Sequence, residues 1–172
     1  MTAFLFLLSL GFWDVDPLRQ LERATLAVPT WQAVYTPPLG AERKADLDRL
    51  QRLVERGLGA KVELIEAAQD GAVSPVAGVT YLDQRLIQLD PALSPNAQLQ
   101  VLAHEAGHLL SPPDLARAER EVFADAVSYL VTRDAIRIYA LYLSQHKSGL
   151  TVLRTHRREI HWAADVLSIA IR

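Results

Sequence analysis

One stretch of the chain is punctuated by proline at both ends, and that punctuation dictates a helix of defined length. The Ser94 hydroxyl suits an N-cap, Pro95 suits the first helical position, and Pro112-Pro113 ends the helix after Ser111. Between those limits Leu99, Leu102, Ala103, Ala106, Leu109 and Leu110 form an apolar flank at helical spacing, while Gln100, His104 and His108 form a polar stripe at i, i+4 and i+8. The stripe belongs to His104-Glu105-Ala106-Gly107-His108. Residues four apart share a helix face, so both imidazoles reach one metal ion, and Glu105 projects beside them toward a water on that ion. Neutral imidazoles suit Zn²⁺, and three protein ligands with an open fourth position mark a catalytic zinc.

A third ligand must therefore come from elsewhere. The chain has no cysteine, which leaves His, Asp or Glu as candidates and also excludes disulfide scaffolds and thiol catalysis. A second helix, expected to start near Asp114, carries Glu119, Glu121 and Asp125. Glu121 and Asp125 lie one turn apart, so Glu121 can bind the ion while Asp125 hydrogen-bonds the far nitrogen of a ligand histidine and fixes its tautomer. Glu119 is the alternative ligand, because it shares a stripe with Phe123, Ala126 and Leu130, where an unbound carboxylate is costly. The alternative for Glu121, Asp125, Ser128 and Thr132 is a solvated face. His161, beside Trp162, is a candidate donor to the oxyanion formed during attack, as are Tyr139 and Tyr142. His146 and His156 carry no pattern that marks them.

The remaining chain supplies a frame of helices and a small sheet. Residues 17–27 read as a helix, and Pro29, Pro37, Pro38 and Gly40 make a loop around Trp31 and Tyr35. From Ala41 to Leu58, Leu47, Leu50, Val54 and Leu58 recur at helical spacing opposite a charged face, with a stop near Gly57 and Gly59. Val62 and Leu64, Val76 to Leu82, and Arg85 to Asp90 read as three short strands, the last two as a hairpin around Asp83-Gln84, with a turn at Asp70-Gly71 before them. Helices are expected over 134–146 and 150–171. The 172 residues read as one domain, with an N-terminal segment and loop over 1–40, a catalytic core over 41–132 and C-terminal helices over 133–172.

Charge and targeting signals narrow the partners. With 18 Lys+Arg against 20 Asp+Glu, the net charge of −2 does not suggest wholesale coating of nucleic acid. Residues 133–172 carry seven basic and three acidic side chains, a local excess that favours an acidic partner. The apolar run Ala3 to Trp13 is shorter than the roughly 20 residues needed to span a bilayer, and no basic residue precedes it as a signal peptide requires. The expectation is a cytoplasmic protein without a transmembrane span; export is the alternative if residues 1–13 act as a signal segment.

The segment Gly78-Val79-Thr80-Tyr81 through Arg85-Leu86-Ile87-Gln88-Leu89, followed by QLQVLAHEAGHLL from Gln98 to Leu110, resembles the hairpin and zinc helix of the ImmA/IrrE metallopeptidases, which are zincins. The stretch Arg120 to Val131 (REVFADAVSYLV) is similar to the Glu-x-x-Ala-acidic helix of ArdC-type antirestriction metallopeptidases and lethal-factor-like zincins. The first acidic residue of that helix binds zinc, and it falls on Glu121. Ile138 to Ile171 also resembles the helical end of ArdC-type proteins, so the likeness spans about Ala41 to Ile171. It implies a zincin-like α+β fold, mostly helical, with a small three-stranded sheet whose edge borders the active-site cleft. It also implies a zinc metalloendopeptidase of gluzincin type that cleaves a protein substrate, by analogy a DNA-binding transcriptional repressor. In that scheme zinc is held by His104, His108 and Glu121, and Glu105 is the catalytic base.

A second expectation is a non-proteolytic zinc protein, an antirestriction or DNA-associated factor whose basic end, with Arg154, Arg157 and Arg158, contacts nucleic acid. Glu105 weighs against it, because a purely structural zinc site needs no base.

Overall fold

A computed structural model of the chain describes residues 16–26, 42–65, 77–133 and 148–171. The expectations for the apolar run 3–13, the loop with Trp31 and Tyr35, the turn at Asp70-Gly71 and the helix 134–146 with Tyr139, Tyr142 and His146 lie outside these residues.

The first described helix, α1 (Pro17–Leu26), opens on proline, and the Asp16 carboxylate accepts a hydrogen bond from the Leu18 N–H at 2.8 Å. An acidic cap thus satisfies an amide that the helix itself cannot. Helix α2 (Lys44–Gly57) buries Leu47, Leu50 and Val54 along one stripe. It begins at Lys44 and not at Ala41, because the Arg43 N–H donates instead to Asn96 Oδ1 at 2.8 Å and Arg43 takes a non-helical conformation. At its far end Gly59 has φ +64°, which lets the Ala60 N–H turn back to the Val54 carbonyl at 3.2 Å.

Three strands follow: β1 (Lys61–Leu64), β2 (Gly78–Tyr81) and β3 (Leu86–Leu89). As expected from the sequence, β2 and β3 form an antiparallel hairpin, with Gly78 opposite Leu89 and Tyr81 opposite Leu86. Strand β1 joins on the other side, parallel to β3, with Lys61 opposite Leu86. The order β1-β3-β2 makes β3 central, which buries Ile87 and Leu89, and leaves β2 as an edge with no strand beyond it among the described residues.

Helix α3 (Pro95–Leu110) has the ends its sequence dictates. The Ala97 N–H donates to Ser94 Oγ at 3.3 Å, and the Ser111 hydroxyl donates to the His108 carbonyl at 2.8 Å. It lies between the sheet and α4 (Arg117–Thr132), with α2 packed alongside. A helix covered on so many sides must be apolar around most of its girth, and Leu99, Leu102, Ala103 and Ala106 are all fully buried. Each such leucine contributes roughly 1.5–3 kcal/mol.

Helix α4 begins at Arg117, three residues later than the sequence suggested. Residues 112–115 make a turn in which the Leu115 N–H reaches the Pro112 carbonyl, and Glu119 Oε2 accepts the Ala116 N–H at 3.0 Å, fixing the helix start beyond it. The helix expected over 150–171 is divided into α5 (Gly149–Thr155) and α6 (Arg157–Ser168). His156 (φ −103°, ψ 26°) forms the break, a backbone distortion that no Gly or Pro announces. The division lets α5 lie against α1 and α4 while α6 crosses α3 and α4. Buried residues from α1 through α6 and β3 join in one apolar cluster around Phe123, Leu102 and Ile160. The described part is therefore α+β and mostly helical, and none of its helices is long and apolar enough to cross a membrane.

Candidate metal centre

The polar stripe of α3 meets a polar stripe of α4. Along the two helices, Glu121 faces His104 and His108, Asp125 faces His104, and the Ser128 hydroxyl donates to the Gln100 carbonyl at 2.8 Å. Positions descend on α3 as they rise on α4, so the helices run antiparallel. This corrects the solvated-face alternative: Asp125 is 7% exposed, Ser128 0% and Thr132 3%, because each is used against α3 or within the helix pair. Close approach comes from Gly107. A Cβ placed there would sit 3.0 Å from Ala124 Cα and push against it, so glycine at this position lets α4 approach with Glu121, one turn earlier, beside the histidines.

Three ligand atoms converge. His104 Nε2 lies 3.1 Å from His108 Nε2, and Glu121 Oε2 lies 3.4 Å from the first and 3.5 Å from the second. His104, His108 and Glu121 form a group able to hold a metal ion. A tetrahedral zinc with bonds of about 2.0–2.1 Å separates its ligand atoms by about 3.3–3.4 Å, so the donor set fits that ion. Asp125 Oδ1 stands 2.9 Å from His104 Nδ1, which donates to it and leaves Nε2 facing His108 and Glu121.

The electrostatics express the same demand for a cation. Burial disfavours the charged form of His104, but the hydrogen bonds to Asp125 and Glu121 outweigh it and push its pKa up to about 10. Hydrogen bonds from His104 and then His108 hold the Glu121 carboxyl far below the usual carboxylate range. A proton on His104 thus supplies the positive charge that a divalent ion would otherwise bring.

Glu105 is 6% exposed, and the Thr80 hydroxyl of β2 lies 2.7 Å from its Oε2 and 3.0 Å from its backbone carbonyl. The single hydroxyl proton serves the nearer carboxylate oxygen best. Gly78 allows this approach of strand to helix, since a Cβ there would lie 2.4 Å from Val101 Cγ1 and 3.2 Å from Glu105 Cγ. In front of these groups is a cavity of about 560 Å³. Its walls are Gly78, Val79, Thr80 and Leu82 from the β2 edge and its turn, His104, Glu105 and His108 from α3, and Arg117, Arg120 and Glu121 from α4.

Two candidates from the sequence stand elsewhere. Glu119, the rival ligand, is occupied at the start of α4 by the Ala116 N–H. His161 is not among the residues lining the cavity; its Nε2 lies 3.2 Å from Oδ1 of Asp16, the residue just before α1. The same Asp16 pairs with Arg157, and Arg154 pairs with Glu22, so two of the three arginines expected to meet nucleic acid are engaged with α1 or the residue before it. Sequence reasoning missed Thr80, Arg117 and Arg120. Arg117 is four residues before Glu121 and so shares its face, a signal that was available; Thr80 had none, because its role depends on how β2 docks on α3.

No family model, curated protein or solved structure matches the chain.

Proposed function

We propose that this chain is a zinc-dependent metallopeptidase with a zincin-like fold, and that the cavity beside β2 is its substrate cleft. The observation that carries the reading is the triangle of His104 Nε2, His108 Nε2 and Glu121 Oε2, which faces a cavity also lined by Glu105. His104, His108 and Glu121 would hold the zinc, with Asp125 orienting His104. Bound there, zinc would supply Lewis-acid chemistry, acidifying water toward pH 7 and polarising a carbonyl.

Glu105 acts as the base. With Oε2 held by Thr80, Oε1 takes the water's proton and returns it to the leaving amine. The β2 edge supplies backbone groups to an extended peptide, which adds to the sheet as a further strand. The likeness of the zinc helix to ImmA/IrrE proteins supports a protein substrate, with a DNA-binding transcriptional repressor as the candidate and the cytoplasm as the place of action.

Replacing Glu105 by Gln tests the reading. Zinc content and melting temperature are expected to stay near those of the unsubstituted chain, while hydrolysis of unfolded casein or a repressor protein falls by about 10²–10⁴-fold. Unchanged hydrolysis in the Glu105→Gln chain would remove Glu105 from the chemistry.

A further inference from the structure

Five arginines elsewhere in the described residues are engaged. Arg43 pairs with Asp46 and donates to the Thr132 carbonyl, Arg49 pairs with Asp46, Arg85 reaches the Gly59 carbonyl, and Arg154 and Arg157 pair with Glu22 and Asp16. Arg117 and Arg120 differ. Both line the cavity, and neither makes a hydrogen bond or ion pair with any described residue. They stand three apart in the first turn of α4 and thus share one side of it. Neither carboxylate of the cavity pairs with them: Glu121 faces the imidazoles and Glu105 accepts the Thr80 hydroxyl.

The consequence is two adjacent guanidiniums on a concave wall, unpaired among the described residues, which favours an anionic group beside them. A guanidinium is a planar fork that matches a carboxylate with two parallel N–H bonds, and such charge-assisted bonds are about twice as strong as neutral ones. Resting on the peptidase reading, we propose that Arg117 and Arg120 form a carboxylate-binding subsite beside the scissile position. The chain then selects peptides that present either an acidic side chain or a free C-terminus there. The two sources share one chemistry and differ in what the peptide must contain.

Binding to the zinc-loaded Glu105→Gln full chain separates them without turnover. Three pools of acetylated random octapeptides are compared by fluorescence anisotropy at fixed ionic strength: central Asp with an amidated end, central Asn with an amidated end, and central Asn with a free carboxyl end. The Asp pool, the free-carboxyl pool or both are expected to bind about tenfold or more tightly than the neutral pool. Tighter binding of the Asp pool assigns an acidic side chain, and tighter binding of the free-carboxyl pool assigns the terminus. The double substitution Arg117→Gln with Arg120→Gln should erase the difference without moving the melting temperature. Arg117→Lys with Arg120→Lys, which keeps the charge and loses the fork, should restore part of it. Equal binding of the three pools, no measurable binding of either carboxylate pool, or a preference that survives the double Gln substitution overturns the proposal. Cleavage of the same pools by the unsubstituted chain is read separately. A carboxylate preference without cleavage removes the peptidase reading and keeps the subsite; cleavage without preference does the reverse.

Discussion

Two places in the molecule set a histidine against an aspartate. At the α3–α4 contact, His104 donates to Asp125 at 2.9 Å; beside the start of α1, His161 of α6 lies 3.2 Å from Asp16. The pairs look alike and behave oppositely. Asp16 already has the Arg157 guanidinium, so no positive charge is wanted, and burial followed by the Arg157 charge pushes the His161 pKa down. His104 faces Asp125 and Glu121 with no Arg or Lys paired to either among the described residues, and its pKa rises. A second imidazole also lies within 3.1 Å of His104, and His161 has no such neighbour among the described residues. A histidine–carboxylate contact is therefore not itself a site. What sets the first group apart is that its donors converge and its carboxylates have no Arg or Lys partner among the described residues, a set able to hold a metal ion.

Disabling the orienting partner on each side should break this contrast most visibly. Replacing Asp125 by Asn leaves a hydrogen-bond acceptor but removes the charge, and zinc affinity measured by competition with a chelator should fall about 10–100-fold. A smaller, pH-dependent effect concerns the metal-free chain. Glu121, depressed below its ordinary 4.5, contributes stability that is complete above that value and lost as pH falls below it; His104, raised from 6.5 to about 10, contributes stability that is complete below 6.5 and lost as pH climbs through 10. Their joint contribution is therefore full between 4.5 and 6.5. Zinc needs neutral imidazoles, so the rise in melting temperature on adding zinc should grow from about pH 6 to pH 8 in thermal scans run with zinc and with chelator. The smallest effect is expected from His161→Gln: no change in zinc affinity, and less than about 1 kcal/mol in denaturant unfolding, since the Asp16–Arg157 pair remains.

The parts of this account that local rules govern were legible in the chain. Ser94, Pro95 and Pro112 bound α3, and the four-residue spacing puts His104 and His108 on one face. The one-turn interval between Glu121 and Asp125 foretold that one would face the imidazoles and the other would brace a ring. What depended on tertiary contact was not legible. Glu119 was ambiguous until α4's start at Arg117 put it beside the Ala116 amide. The parallel pairing of β1 with β3 and the docking of Thr80 on Glu105 join residues at least 25 positions apart, beyond any periodic pattern. His156 breaks a helix whose apolar spacing runs straight through it, because the break answers to how α5 and α6 pack.

The central claim is that His104, His108 and Glu121 share one divalent ion, and metal stoichiometry combined with X-ray absorption tests it most directly. The account predicts one zinc per chain, with two imidazoles and a carboxylate oxygen at about 2.0–2.1 Å. It also predicts that this zinc is lost on Glu121→Ala and kept on Glu119→Ala. A chain that takes up no zinc, a spectrum without imidazole scattering, or zinc that stays when Glu121 is removed would contradict it.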